Sequence, residues 1–160
     1  MSPQMSPTSD DGLKIFRDAQ SGFRWAGVDR LNYKEEGSAP FKSISRQVLF
    51  SGPGLAGELR YFKIEPGGFS TLERHEHVHA VMILHGRGTC LVREMVRAVE
   101  TYDLVTIAPW SWHQFRATGG EALGFLCLVN AERDRPQLPN ADDLTALRAI
   151  PGVAEFLDGK

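Results

Sequence analysis

The stretch Pro66-Gly-Gly-Phe-Ser-Thr-Leu-Glu-Arg-His-Glu-His-Val-His-Ala-Val-Met-Ile-Leu-His-Gly-Arg-Gly88 carries four of the five histidines of a 160-residue chain. A Pro-Gly-Gly break opens it and a Gly-Arg-Gly turn closes it. Between them, His79-Ala-Val-Met-Ile-Leu-His has the apolar, β-branched composition of a strand. Side chains of an extended chain alternate between two faces. Glu73, His75, His77 and His79 share one parity, so as strand they set one carboxylate and three imidazoles on one side. Neutral imidazole is a common ligand for Zn, Cu, Fe and Ni, and carboxylate suits the harder ions. A lone histidine is ordinarily a surface or hydrogen-bonded residue, but this spacing points to a metal site. His85 abuts the glycine turn and belongs to a rim.

Outward from this stretch the pattern stays short and β-rich. Arg46-Gln-Val-Leu-Phe-Ser, Glu58-Leu-Arg-Tyr-Phe-Lys-Ile-Glu, Thr89-Cys-Leu-Val-Arg-Glu, Val96-Arg-Ala-Val-Glu, Asp103-Leu-Val-Thr-Ile-Ala and Leu123-Gly-Phe-Leu-Cys-Leu-Val are strand-like runs separated by Gly and Pro. Many short strands with no long helix between them predict an all-β sandwich or barrel. The second run is expected to stop at Pro66. Residues 1–12, rich in Ser, Pro and Asp, read as a disordered tail, and 13–44 as an N-terminal arm. The barrel covers 45–130. Residues 131–160 form an extension in which Asp142-Asp-Leu-Thr-Ala-Leu-Arg-Ala-Ile is a short helix closed by Pro151-Gly152.

The net charge is -2, from 18 Lys and Arg against 20 Asp and Glu. That balance argues against a nucleic-acid partner or an anionic membrane surface. No apolar run approaches the roughly 20 residues that span a bilayer, and the N-terminus does not read as a secretory signal, so a cytoplasmic address is expected. Cys90 and Cys127 sit in apolar runs and read as free, buried thiols.

These residues resemble the cupin family. Gly67 through His75, His77 and His79 to Gly86-Arg-Gly88 is similar to its first motif. Asp103-Leu-Val-Thr-Ile-Ala-Pro-Trp-Ser-Trp-His113-Gln-Phe is similar to its second, in which a proline precedes the last ligand histidine. The resemblance covers about residues 58–130 and implies a jelly-roll, or double-stranded β-helix, barrel. It also implies one divalent metal ion (Fe, Cu, Ni, Mn or Zn) inside that barrel. Aligned without gaps, it makes His75, His79 and His113 the ligands, with Glu73 or His77 as the fourth; in the family pattern a glutamate stands where His79 does here. Met82, Leu84 and Phe115 are expected near the cavity, and Trp110 and Trp112 either stack on a substrate or cap the barrel. Glu76 reads as a surface residue, or as a base.

Two classes of function follow from the resemblance. One is a metal-dependent dioxygenase of a small dione, enol or aromatic substrate, similar to the quercetinase-like cupins; an isomerase or lyase would use the same ligands. The other is a non-catalytic small-molecule binder. The arm, with Phe23 and Trp25, suits a strand exchanged between two copies, which predicts a homodimer.

Overall fold

The computed structural model describes residues 13–14, 16–17 and 23–160. The tail expected over 1–12 lies outside the described residues. The strands are β1 (Phe16–Arg17), β2 (Arg24–Trp25), β3 (Leu31–Asn32), β4 (Lys42–Ser51), β5 (Gly57–Phe69), β6 (His79–His85), β7 (Arg87–Val92), β8 (Met95–Glu100), β9 (Leu104–Ile107), β10 (His113–Arg116) and β11 (Leu123–Asn130). Two helices follow, α1 (Ala141–Arg148) and α2 (Val153–Leu157). β1 pairs with β2. The other nine strands make one curled sheet in the order β8-β7-β10-β5-β11-β6-β9, with β4 beside β5 and β3 beside β4. Every pairing is antiparallel. This is the expected all-β jelly roll, and no helix among the described residues is long and apolar enough to cross a membrane.

Alternation along the strands sets what faces inward. On β6, Val81 and Ile83 are buried while Met82 between them is 39% exposed. Met82 and Leu84 therefore do not line the cavity; they have the opposite parity to His79. Phe115, by contrast, is buried and does line it. It stacks on Phe125 at 4.8 Å, and Phe125 on Phe62 at 5.4 Å. Offset aromatic pairs of this kind add about 0.5–1.5 kcal/mol to area burial, so this trio makes a rigid floor.

β5 does not stop at Pro66 as expected; it runs on to Phe69. The ladder with β4 slips there, because Ile44 pairs with Ile64 whereas Lys42 pairs with Phe69. Gly67, at φ 79°, supplies the bulge, which keeps the strand in the sheet while turning its end toward the site. Gly86 makes the other tight turn. Its φ is 79°, and a Cβ there would lie 2.0 Å from the Ala122 carbonyl oxygen. Gly86→Ala therefore combines left-handed strain with overpacking and should lose about 2–4 kcal/mol, read as a lowered thermal midpoint at unchanged metal content.

The arm lies on its own barrel. Phe23 stacks on His85 at 3.9 Å, Trp25 packs edge-on to Tyr61 at 5.0 Å, and Gln47 bonds the backbone of Trp25 and Val28. At the other end, a capping box between Asn140 and Asp143 starts α1. Leu147, Val153 and Phe156 then bury against Leu72 and Leu91, with Trp112 packed on the cluster. Trp112 thus serves the helix contact, with Arg74 4.4 Å over its ring, while Trp110 is 47% exposed. Neither tryptophan lines the cavity.

Candidate metal centre

The residues between β5 and β6 are not the continuous strand that period-two reasoning assumes. Glu73 pairs with His113 through two backbone hydrogen bonds, of 3.2 and 3.0 Å. The chain then bends at Glu76 and His77 before entering β6 at His79. Asp134 causes the bend: its carboxylate accepts the backbone N–H groups of Glu76 at 2.8 Å and His77 at 3.0 Å. His75 and His79 nevertheless converge, because the bend brings the chain back on itself. His113 arrives from β10 across the Glu73 bridge.

One nitrogen from each of His75, His79 and His113 lies within 4.8 Å of the other two. His75 Nδ1 is 2.7 Å from the His77 carbonyl, and His113 Nδ1 is 2.9 Å from the Ser111 carbonyl. A carbonyl only accepts, so both Nδ1 atoms must carry the proton, which leaves each Nε2 as a bare lone pair. His75 Nε2 lies 2.9 Å from His79 Nε2. Two lone pairs at that distance repel unless a proton or a cation stands between them. Burial, reinforced by the neighbouring imidazoles, lowers the pKa of His75 to about 4 and pushes His79 lower still; burial likewise depresses His113. Three neutral imidazoles, His75 and His113 oriented by backbone carbonyls and His79 by the Cys127 sulfur, are positioned to hold a metal ion.

Glu73 and His77 lie beside this group rather than within it. The Glu73 carboxylate is bonded by the Lys34 ammonium from the arm. The His77 ring lies flat on His75 at 3.6 Å, and its Nδ1 meets Asp134 at 2.7 Å. Glu76 is exposed and His85 is on the far side, bonded to the Tyr61 hydroxyl. Neither reaches the cavity.

The site opens into a cavity of about 280 Å³. Its floor is Phe62, Phe115 and Phe125, and its walls carry Lys34, Arg46, Arg60, Arg133 and Cys127. Cys127 is the residue that sequence reasoning passed over. It reads as core, yet its Sγ lies 2.9 Å from His79 Nδ1 and accepts from Arg60 Nη2 at 3.5 Å. The available signal was parity: Cys127 pairs with Val81, on the inward face that also holds His79.

The comparisons decide the family. The cupin domain matches residues 60–129, and 97% of the chain is 66% identical to 98% of the 1-methylthio-D-xylulose 5-phosphate methylsulfurylase of Rhodospirillum rubrum. The chain belongs to the cupin family. A crystal structure of a cupin-2 domain from the same organism aligns with TM-score 0.82 at 68% identity, covering 90% of this chain and 97% of that one. A cupin 2 conserved barrel domain protein from Rhodopseudomonas palustris aligns with TM-score 0.83 at 55% identity over the same shares. A shorter likeness, 38% over 56 residues, links 35% of this cupin to 27% of a 5-nitrosalicylic acid 1,2-dioxygenase from Bradyrhizobium.

The depressed imidazoles give the metal-free cupin a defined acid sensitivity. A base whose pKa is lower folded than unfolded takes up protons more readily in the unfolded chain. Its stabilising contribution is therefore complete above about pH 6.5 and is lost as pH falls toward 4. The thermal midpoint of chelator-treated protein should hold above about pH 6.5 and fall steadily between pH 6.5 and pH 4.

Proposed function

We propose that this cupin is a methylsulfurylase acting on 1-methylthio-D-xylulose 5-phosphate or a close analogue, with Cys127 as the group that takes up the methylthio unit. The observation that carries the reading is a thiol inside the cavity, hydrogen-bonded to a histidine of the metal-binding triad. The chain-long likeness to the Rhodospirillum rubrum enzyme supplies the substrate class.

Cys127 Sγ attacks the thioether sulfur. A sulfur–sulfur bond forms, the C1–sulfur bond breaks, and its electron pair passes to C1, where the adjacent C2 ketone delocalises it as an enolate. The proton that the Cys127 thiol gives up on attack, or its equivalent, is returned at C1 and completes the 1-deoxy ketose. The methyl disulfide on Cys127 is cleared by a small thiol, which is oxidised as the carbon is reduced. Burial raises the pKa of the Cys127 thiol, and the neighbouring Arg60 guanidinium works against that rise. His79 Nδ1, with its other nitrogen committed to the triad, donates a hydrogen bond to the sulfur and acts in the same direction as Arg60, toward the thiolate that attacks. The phenylalanine floor excludes water from the enolate.

His75, His79 and His113 would hold a divalent ion, whose contribution is Lewis-acid polarisation of a ketose oxygen. Of the two expected fourth donors we retain Glu73, paired with His113, over His77, whose ring is stacked on His75 and tied to Asp134. The reading takes the enzyme to work in the cytoplasm, where thiols stay reduced, as a homodimer.

The dioxygenase expectation keeps the short likeness to the Bradyrhizobium enzyme as its support. One assay separates the two. Incubated with 1-methylthio-D-xylulose 5-phosphate and a small thiol, the protein should release the 1-deoxy ketose with no oxygen uptake. Oxygen consumption with aromatic or dione substrates, and no methylthio release, would overturn the methylsulfurylase reading.

A further inference from the structure

The cavity has a basic side that the triad and Cys127 do not use in full. Arg46 on β4, Arg60 on β5 and Arg133 beyond β11 all line it. Glu58 Oε1 gathers two of them, with Arg133 Nη1 at 3.4 Å and Arg60 Nε at 3.8 Å. Arg60 is held flat, 5.0 Å over the Phe62 ring, with its side chain 12% exposed. Its Nε is fully enclosed and makes no hydrogen bond. Arg46, whose Nε donates to the Asn32 carbonyl at 3.0 Å, makes a third guanidinium on this cavity, and Asp134 a second carboxylate, so three positive charges face two negative ones and one positive charge remains. Lys34 is outside this balance, because Glu73 bonds it. Buried charge lacking a counter-ion is costly; here it faces a space that an anion can enter.

We propose that Arg46 and Arg133 form the seat for a phosphate monoester on a short sugar chain, with Arg60 between that seat and Cys127. The inference rests on the proposed function for the identity of the chain's other end. Guanidinium groups offer forked donors that match phosphate oxygens, and several around one anion form charge-assisted bonds. The spacing fits. Glu58 pairs with Val129, and Val129 with His79, so the backbone at Glu58, whose carboxylate holds Arg133, is two strand steps, about 10 Å, from the backbone at His79. Seven bonds of about 1.5 Å, from a sulfur on C1 to a phosphorus beyond C5, cover a similar length. Arg60 stands between the ends, with Nη2 toward Cys127 and Nε toward Glu58.

The test is titration calorimetry of the metal-replete protein with D-xylulose 5-phosphate and with D-xylulose, neither of which carries a methylthio group to react. Wild type should bind the phosphorylated sugar at least about tenfold tighter. In the Arg46→Gln/Arg133→Gln double variant that preference should vanish while binding of D-xylulose is unchanged. Arg46→Lys/Arg133→Lys should restore part of it, and unchanged melting and metal content would certify the fold of both. Equal binding of the two sugars by wild type, or a preference that survives in the glutamine variant, would overturn the seat. Selective sugar-phosphate binding without turnover of the methylthio compound would sink the proposed function and leave the seat standing.

Discussion

Cys127→Ser protein is expected to fold, bind metal and bind sugar phosphate, and to release no methylthio group above background. The substitution keeps a small hydrogen-bonding side chain between His79 and Arg60, so the cavity keeps its shape. It removes the one atom able to form a sulfur–sulfur bond with the thioether. Serine oxygen is far less polarisable and does not attack divalent sulfur, so the loss should exceed about 10³-fold in turnover, comparable to deleting a nucleophile elsewhere. Cys90 serves as the control. It is buried but does not line the cavity, so Cys90→Ser should leave turnover intact and cost only packing stability. Mass spectrometry supplies an independent readout: wild type mixed with substrate and no reducing thiol should gain one methylthio group on the peptide containing Cys127. Full activity in Cys127→Ser would remove the thiol from the reaction.

His113→Ala should carry the second large effect, seen in elemental analysis rather than in assay. His113 is 6% exposed, brings one of three converging nitrogens, and has Nδ1 locked to the Ser111 carbonyl. Losing a hydrogen-bond partner behind a ligand costs roughly 10–100-fold in metal affinity, and losing the ligand itself should cost more. Wild type prepared without chelator should retain a stoichiometric divalent ion, and His113→Ala should retain almost none. His85→Ala, on the outer face beneath Phe23, should retain it in full. Asp134→Asn should fall between, because the bend at His77 loses charge-assisted bonds while all three histidines remain. Equal metal in wild type and His113→Ala would exclude the triad as the site.

The fold was legible because its signals are local. Glycine turns and β-branched runs name the strands, and two histidine motifs in order name the barrel. The convergence of His75, His79 and His113 was legible through the ungapped match to the cupin motifs. Period-two alternation grouped Glu73, His75, His77 and His79 instead, and there the structure differs, because the chain bends at His77. What bends it is Asp134, more than fifty residues away, and no local pattern announces such a partner. Met82 was misplaced for a related reason, since parity must be counted from a residue whose face is known. Cys127 stayed hidden because a cysteine in an apolar strand looks the same in sequence whether the strand faces packed side chains or a cavity. Only the pairing of β11 with β6 decides between them.

The bend at His77 also shows how the protein divides its labour. The histidines, Arg60, Cys127 and the phenylalanine floor all fall inside the matched span 60–129. Much of the cavity mouth does not: Tyr33 and Lys34 come from the arm, and Arg133, Asp134 and Pro136 from the segment after β11. Chain added at either end of the barrel thus supplies much of the lining around the triad, so a change in the arm or in residues 131–136 would reshape the cavity without altering any of the three histidines.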